Sequence, residues 1–363
     1  MSASSNDSPV CLVLKDNLTI EGKLFGFPGS VAGEVVFNTA MTGYPESITD
    51  PSYKGQILVL TYPLIGNYGV PDNILENQLS GYFESEKIQV SGLVISDYSA
   101  EHHHWNARKS LSDWLYEHQI PGIYGVDTRA VTKLLREKGT MPGKIIVENK
   151  DLDFYDPDQD NLVKDVSTKE IIIYGKGRYR ILLVDCGVKH NIIRHLLKRD
   201  TTVIRVPWDH DIRNEEYDGV FISNGPGDPK KCEATIEQLR MVLTGSRPVF
   251  GICLGNQLLA LASGANTYKL KYGHRSHNQP VILAHSKRCY ITSQNHGFAV
   301  DESTLGNEWE PLFTNLNDGT NEGLRHLTKP VFSAQFHPEA SSGPTDTDFL
   351  FDEFISRIQK FKK

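Results

Sequence analysis

Along the first 145 residues, apolar positions come in short runs separated by glycine- and proline-rich turns. Residues 10–14, 57–61 and 90–96 carry the pattern of strands. Asp16-Asn17 and Phe27-Pro28-Gly29 are turn signals between them. Further on, Leu111, Trp114 and Leu115 share one helical face, and Val131, Leu134 and Leu135 share another. Asp127 and Thr128 stand where the second helix needs its N-cap. Strands first and helices afterwards predict an α+β unit. Within it, residues 42–53 are dense in turn formers and hydroxyls, which predicts a long surface loop of the kind that carries binding groups.

The pattern breaks over residues 149–178. Residues 149–161 are acidic and turn-rich, and Gly175-Lys176-Gly177-Arg178 adds a second flexible break. From residue 179 the chain alternates strand and helix. Strands are predicted at 181–185, 201–207, 219–223 and 248–252, and a helix at about 232–243. Ile192, Ile193, Leu196 and Leu197 form a helical stripe between the first two strands, and residues 256–262 begin another helix. Such alternation predicts an open, mostly parallel sheet covered by helices on both faces, with ligands bound beyond the carboxyl ends of its strands. Short strands at 290–292 and 331–335 precede a terminal helix with Phe351, Phe354, Ile355 and Ile358 on one stripe. The expected organisation is a disordered tail (1–9), a first domain (10–148), a linker (149–178) and a second domain (179–363).

Composition narrows the class. At 363 residues, two domains are expected, and 39% hydrophobic with 23% charged residues is ordinary for a soluble globular protein. A formal net charge of −7 argues against non-specific nucleic-acid binding. The polar N-terminus lacks the basic start and apolar core of a signal peptide. No apolar run approaches the ~20 residues of a membrane span. Cys11, Cys186, Cys232, Cys253 and Cys289 are scattered, without C-x-x-C pairing. That pattern disfavours a disulfide framework and a zinc site, and points to a reducing, cytoplasmic compartment. His102-His103-His104 reads as a solvated loop rather than a metal tract, so no metal is assigned.

The chemistry centres on Gly251-Ile252-Cys253-Leu254-Gly255, where a buried strand hands over to a helix. Small flanking residues permit the sharp turn that pushes a nucleophile out of the sheet. A thiol at a helix N-terminus faces the positive end of the dipole, which favours thiolate. Taken alone, the stretch favours a nucleophile, with a buried structural cysteine as the alternative. A nucleophile needs a base, and the base an orienting carboxylate. His337 at a strand end, with Glu339 two residues on, can supply both. Asn224-Gly225-Pro226-Gly227-Asp228-Pro229 follows a strand and can aim backbone N–H groups into an oxyanion hole. It is no phosphate loop, since the G-x-x-x-x-G-K-[ST] frame is absent. Gln294-Asn295-His296-Gly297-Phe298 offers amide and backbone groups for a polar ligand, with a plain hairpin loop as the alternative.

These four motifs, S-N-G-P-G-D-P, G-I-C-L-G-x-Q, Q-N-H-G-F and F-H-P-E, in this order resemble the class I (triad) glutamine amidotransferases. Residues 43–53, 61–69 and 125–129 resemble the N-terminal domain of the carbamoyl-phosphate synthetase small subunit. The likeness covers residues 10–358 and is nearest to the glutaminase region that opens the multifunctional pyrimidine-biosynthesis proteins of eukaryotes. It implies that Cys253 attacks the amide of L-glutamine to give a γ-glutamyl thioester and ammonia. His337 would be general base and acid, oriented by Glu339, and the backbone at Gly227 and Leu254 would hold the oxyanion. Glutamine would be gripped by Ser52, Gly225, Gly227, Leu254, Gln257, Asn295, Gly297 and Phe298. Ammonia would pass through a tunnel to a synthetase partner, an ATP-grasp large subunit or linked domain. That partner would use ATP, magnesium and bicarbonate, and this chain itself would need no cofactor. The chain differs from the usual pattern at Asn256, where most active members carry His. It also differs at His274 and Ser276, against the commoner eukaryotic G-N-R-G-H-N. Two other classes stay open: a non-catalytic docking module, which would not form the thioester, and a free-standing γ-glutamyl cysteine hydrolase, whose turnover would ignore any partner.

Overall fold

The computed structural model describes residues 9–16 and 18–363. The expected disordered tail falls on residues 1–9, all but the last of which lie outside the described residues, as does Asn17 of the first turn signal. The chain forms two compact units, Met1–Gln159 and Asp160–Lys363.

In the first unit seven strands close into a barrel. They are β1 (Pro9–Leu14), β2 (Thr19–Gly26), β3 (Val31–Asn38), β4 (Gln56–Leu60), β5 (Gly92–Val94), β6 (Pro121–Tyr124) and β7 (Met141–Val147). Their order around the barrel is β1-β7-β3-β4-β5-β6-β2, and β2 pairs back to β1. Closure removes the sheet edges that an open sheet would leave unpaired. Both helices read from the periodicity are present, Leu111–Glu117 and Thr128–Lys138. The second is capped by Asp127, whose Oδ1 accepts from the Ala130 N–H.

Residues 42–53 are not the expected surface loop. They form a helical turn, Tyr44–Thr49, followed by the 3₁₀ turn Pro51–Tyr53. Tyr44, Ile48 and Tyr53 are buried in the core that also holds Leu58, Leu60 and Leu93. The hydroxyls that made the stretch look exposed find partners inside. Tyr44 donates to the Gly69 carbonyl at 2.6 Å, and Tyr53 accepts from Asn38 Nδ2 at 2.8 Å.

The second unit is built on one ten-stranded sheet. Its strands are β8 (Ile172–Tyr174), β9 (Tyr179–Asp185), β10 (Thr201–Pro207), β11 (Gly219–Ile222), β12 (Val249–Ile252), β13 (Asn266–Leu283), β14 (Cys289–Asp301), β15 (Trp309–Asn315), β16 (Asn321–His326) and β17 (Val331–Ala334). They lie in the order β8-β10-β9-β11-β12-β17-β16-β15-β13-β14. The five strands β10, β9, β11, β12 and β17 are parallel. An antiparallel extension follows through β16, β15, β13 and β14, and β8 pairs antiparallel at the other edge. The strand β8 thus lies inside the stretch expected to be linker.

Alternate residues of the parallel strands serve opposite faces. Val220 and Ile222 of β11 join Leu239, Leu258 and Leu259 of the helices Glu233–Thr244 and Leu254–Ala262. Phe221, between them in sequence, meets Phe351 and Phe354 of the terminal helix Phe349–Phe361. Helices therefore cover both faces. Q-N-H-G-F lies within β14 rather than in a hairpin loop, with Asn295 opposite Arg275 and His296 opposite His274 on β13.

Candidate active site

The strand β12 runs through an apolar core and ends at Ile252, and the helix Leu254–Ala262 starts two residues later. Cys253 makes the turn with φ 55° and ψ −103°, a conformation rare for a side-chain-bearing residue. Such strain of about 1–3 kcal/mol persists only where the surroundings enforce it. Here its N–H donates to the Ala334 carbonyl at 2.8 Å, and its carbonyl accepts from the N–H groups of Asn256 and Gln257. The helix start presses close to the sheet: a Cβ on Gly255 would lie 2.4 Å from the Ile222 carbonyl. The turn lifts the sulfur toward the Asn295 carbonyl, 3.6 Å away.

His337 follows β17 by three residues and is fixed by its N–H, which donates to the Ser293 carbonyl at 2.9 Å. Its Nδ1 lies 2.6 Å from Glu339 Oε1. Both side chains are buried, His337 at 2% and Glu339 at 1% exposure. His337 Nε2 is buried, and the Cys253 thiol lies near enough to act on the ring. Burial works against the imidazolium, but the Glu339 carboxylate prevails and Cys253 adds to it, raising the His337 pKa to about 10. An imidazole held this way is a strong base toward a neighbouring thiol. For Glu339, burial favours the acid form, yet Lys189 and His337 bring its pKa down to about 2.

Lys189 is the participant that sequence reading missed. Its Nζ lies 3.0 Å from Glu339 Oε1 and 2.6 Å from the Ala340 carbonyl, with 4% exposure. Asn191 Nδ2 also bonds the Glu339 carbonyl. The loop carrying Lys189 is set by Asp185, which ends β9 and accepts from the N–H groups of Gly187 and Val188 at 2.9 and 2.8 Å. The signal available in sequence was a lysine four residues past a buried strand.

The other residues singled out fall as follows. Gly225 lies so close to the Cys186 carbonyl that a Cβ would sit 2.1 Å from it. Gly227 adopts φ +82°, the left-handed region that favours glycine. Leu254 is the first residue of its helix, where an N–H has no intrahelical acceptor. Gln257 Nε2 donates to the Phe298 carbonyl at 2.9 Å. Asn295, Gly297 and Phe298 lie along β14. Ser52 belongs to the first unit, where its N–H donates to Asp50 Oδ1. Asn256 is fully buried, donating to Gln335 Oε1 at 2.9 Å and accepting from Ser333 Oγ at 2.7 Å. Asn256 thus braces the helix start against β17. All five cysteines are unpaired, and burial pushes the Cys232 thiol up to about 12 and Cys186 well above its ordinary value.

Cys253 thus stands at a strand-to-helix turn at the end of a parallel strand, in a unit that also holds the buried His337–Glu339 pair. Residues 182–357 match the family of glutamine amidotransferases, class-I. The remainder narrows it, because residues 12–145 match the carbamoyl-phosphate synthase small chain, CPSase domain. The chain therefore joins a domain of the carbamoyl-phosphate synthase small-chain family to a class-I glutamine amidotransferase domain. It is 52% identical over 97% of its length to the human mitochondrial carbamoyl-phosphate synthase [ammonia] and covers 24% of that protein. It is 52% identical to the multifunctional protein CAD of Squalus acanthias, over 97% of this chain and 16% of that one. Against the multifunctional protein URA2 of Saccharomyces cerevisiae the identity is 49%, over 99% of this chain and 18% of that one. The chain thus spans a quarter or less of these relatives. Among the described residues, no helix is long and apolar enough to cross a membrane.

Proposed function

We propose that the chain hydrolyses L-glutamine and delivers the ammonia to an ATP-dependent synthetase that makes carbamoyl phosphate. The observation that carries this is the strained Cys253 beside a buried His337–Glu339–Lys189 line. Cys253 Sγ adds to the side-chain amide carbon of glutamine as its proton passes to His337. The backbone N–H groups of Gly227 and Leu254 receive the oxyanion. His337 then protonates the departing nitrogen, so ammonia leaves and a γ-glutamyl thioester remains on Cys253. Water, deprotonated by the same imidazole, attacks the thioester, and glutamate leaves as the thiol is restored. Gly225, Gly227, Leu254, Gln257, Asn295, Gly297 and Phe298 would grip glutamine. This chain would use no cofactor, leaving ATP, magnesium and bicarbonate to the synthetase. The relatives CAD and URA2 are named multifunctional proteins, which favours a synthetase linked to other activities, and a role in opening pyrimidine synthesis rests on the resemblance of the motifs. A cytoplasmic location rests on the unpaired cysteines.

The printed name of the human relative specifies ammonia, and Asn256 departs from the pattern of active members, so a docking module that hydrolyses nothing is the second reading. Mass spectrometry after incubation with a diazo-ketone analogue of glutamine separates the two. Hydrolysis requires one adduct on Cys253, lost in Cys253→Ala. A folded chain that stays unlabelled establishes the docking module instead.

A further inference from the structure

The departure at His274 completes a cluster that glutamine chemistry does not use. His274, His296 and Glu322 are buried, at 6%, 5% and 0% exposure, and each offers a donor atom within 4.8 Å of the others. They come from three strands, β13, β14 and β16.

Hydrogen bonding fixes which atoms face the centre. His274 lies between two carboxylates, with Nε2 2.8 Å from Asp318 Oδ2 at the solvent edge and Nδ1 turned inward. That Nδ1 finds no donor and lies 3.3 Å from Glu322 Oε1. His296 Nδ1 lies 2.8 Å from the Phe298 carbonyl, which can only accept, so Nε2 is its lone-pair nitrogen. The Gln294 side-chain oxygen stands 3.1 Å from it. Glu322 Oε1 accepts from Asn315 Nδ2 at 2.8 Å, and its Oε2 finds no donor. One nitrogen of each imidazole and a carboxylate oxygen therefore converge, and a proton between His274 and Glu322 is what a cation would displace.

We propose that His274 Nδ1, His296 Nε2 and Glu322 bind a divalent transition-metal cation, zinc being the best fit. Two imidazoles and a carboxylate are ligands zinc accepts, with room for Gln294 Oε1 or water as a fourth. A zinc ion with bonds of about 2.0–2.1 Å sets its ligands about 3.4 Å apart. The His274–Glu322 separation meets this already, and small side-chain rotations bring His296 in. The outward ring nitrogens bond a carboxylate and a backbone carbonyl, the arrangement that orients metal-binding histidines. The ion would tie three strands together beside Asn295, whose carbonyl faces Cys253. The site stands whether or not the chain hydrolyses glutamine, and it departs from the sequence reading, which assigned no metal.

The test uses the full chain carrying Cys253→Ala, so that the thiol supplies no competing ligand. After chelation and dialysis it is titrated calorimetrically with zinc, and with cobalt followed by its visible absorption. One equivalent should bind, with the cobalt spectrum of a four-coordinate nitrogen and oxygen site. His274→Asn and Glu322→Gln should abolish the site, and Asp318→Asn should weaken it by about 10–100-fold. Thermal unfolding should shift upward with zinc in the parent and not in His274→Asn, whose circular dichroism checks that it folds. Absence of a stoichiometric equivalent overturns the proposal, since a proton shared by His274 and Glu322 would then satisfy the cluster. Equal binding by the parent and a folded His274→Asn also overturns it.

Discussion

Lys189 sets the electrostatics of the site, because without its charge the buried Glu339 carboxylate would face only the imidazole it must orient. Replacing Glu339 by Gln should lower kcat for glutamine hydrolysis by about 10²–10⁴-fold with little change in KM. A comparable loss in KM alone would assign Glu339 to substrate binding. Removing either member of a buried pair also changes stability with pH. His337 has a folded pKa above its ordinary 6.5, so its contribution is complete below 6.5 and disappears as pH rises through about 10. Glu339 lies below its ordinary 4.5, so its share is present above 4.5 and disappears as pH falls through about 2. The unfolding free-energy difference between the chain and His337→Asn should therefore be largest between 4.5 and 6.5 and shrink on either side. A difference that grows toward alkaline pH contradicts the pair as described. That Cys253, His337 and Glu339 follow strand ends in compact motifs was legible in sequence. Lys189 was not, because it reaches Glu339 from 150 positions away and sits in no recognisable frame.

At the scale of elements, the elbow works because the helix Leu254–Ala262 starts almost in contact with β11. Gly255→Ala would drive a Cβ into the Ile222 carbonyl, which is backbone and cannot turn aside. The expected cost is about 1–3 kcal/mol, read as a lower denaturation midpoint at unchanged slope, together with a fall in kcat as Cys253 is displaced. Unaltered stability and turnover would mean that the close approach has no role. The parallel strands and their helices were read correctly from periodicity, since buried parallel strands appear as continuous apolar runs. Of the long pair β13 and β14, β13 was missed and only residues 290–292 of β14 were read as strand. Polar residues such as Lys269, Lys271 and Gln279 interrupt it, and register shifts break its alternation. Residues 42–53 misled for the opposite reason: hydroxyls that look solvated are satisfied inside.

At the scale of the molecule, two units of different architecture follow one another, and the relatives carry them within proteins several times longer. The order of the two units was legible from the change in pattern near residue 179, although β8 shows the second unit drawing on the stretch before it. A barrel with parallel and antiparallel neighbours was not, because closure depends on pairings such as β1 with β7, far apart in sequence. The measurement that most directly tests the central claim is glutamine hydrolysis by the purified chain, alone and with a synthetase partner, beside Cys253→Ala. Slow turnover that rises strongly with the partner and vanishes in the variant, while synthesis from free ammonia survives, is the expected result. No hydrolysis in either state, from a chain that is folded and docked, would contradict it.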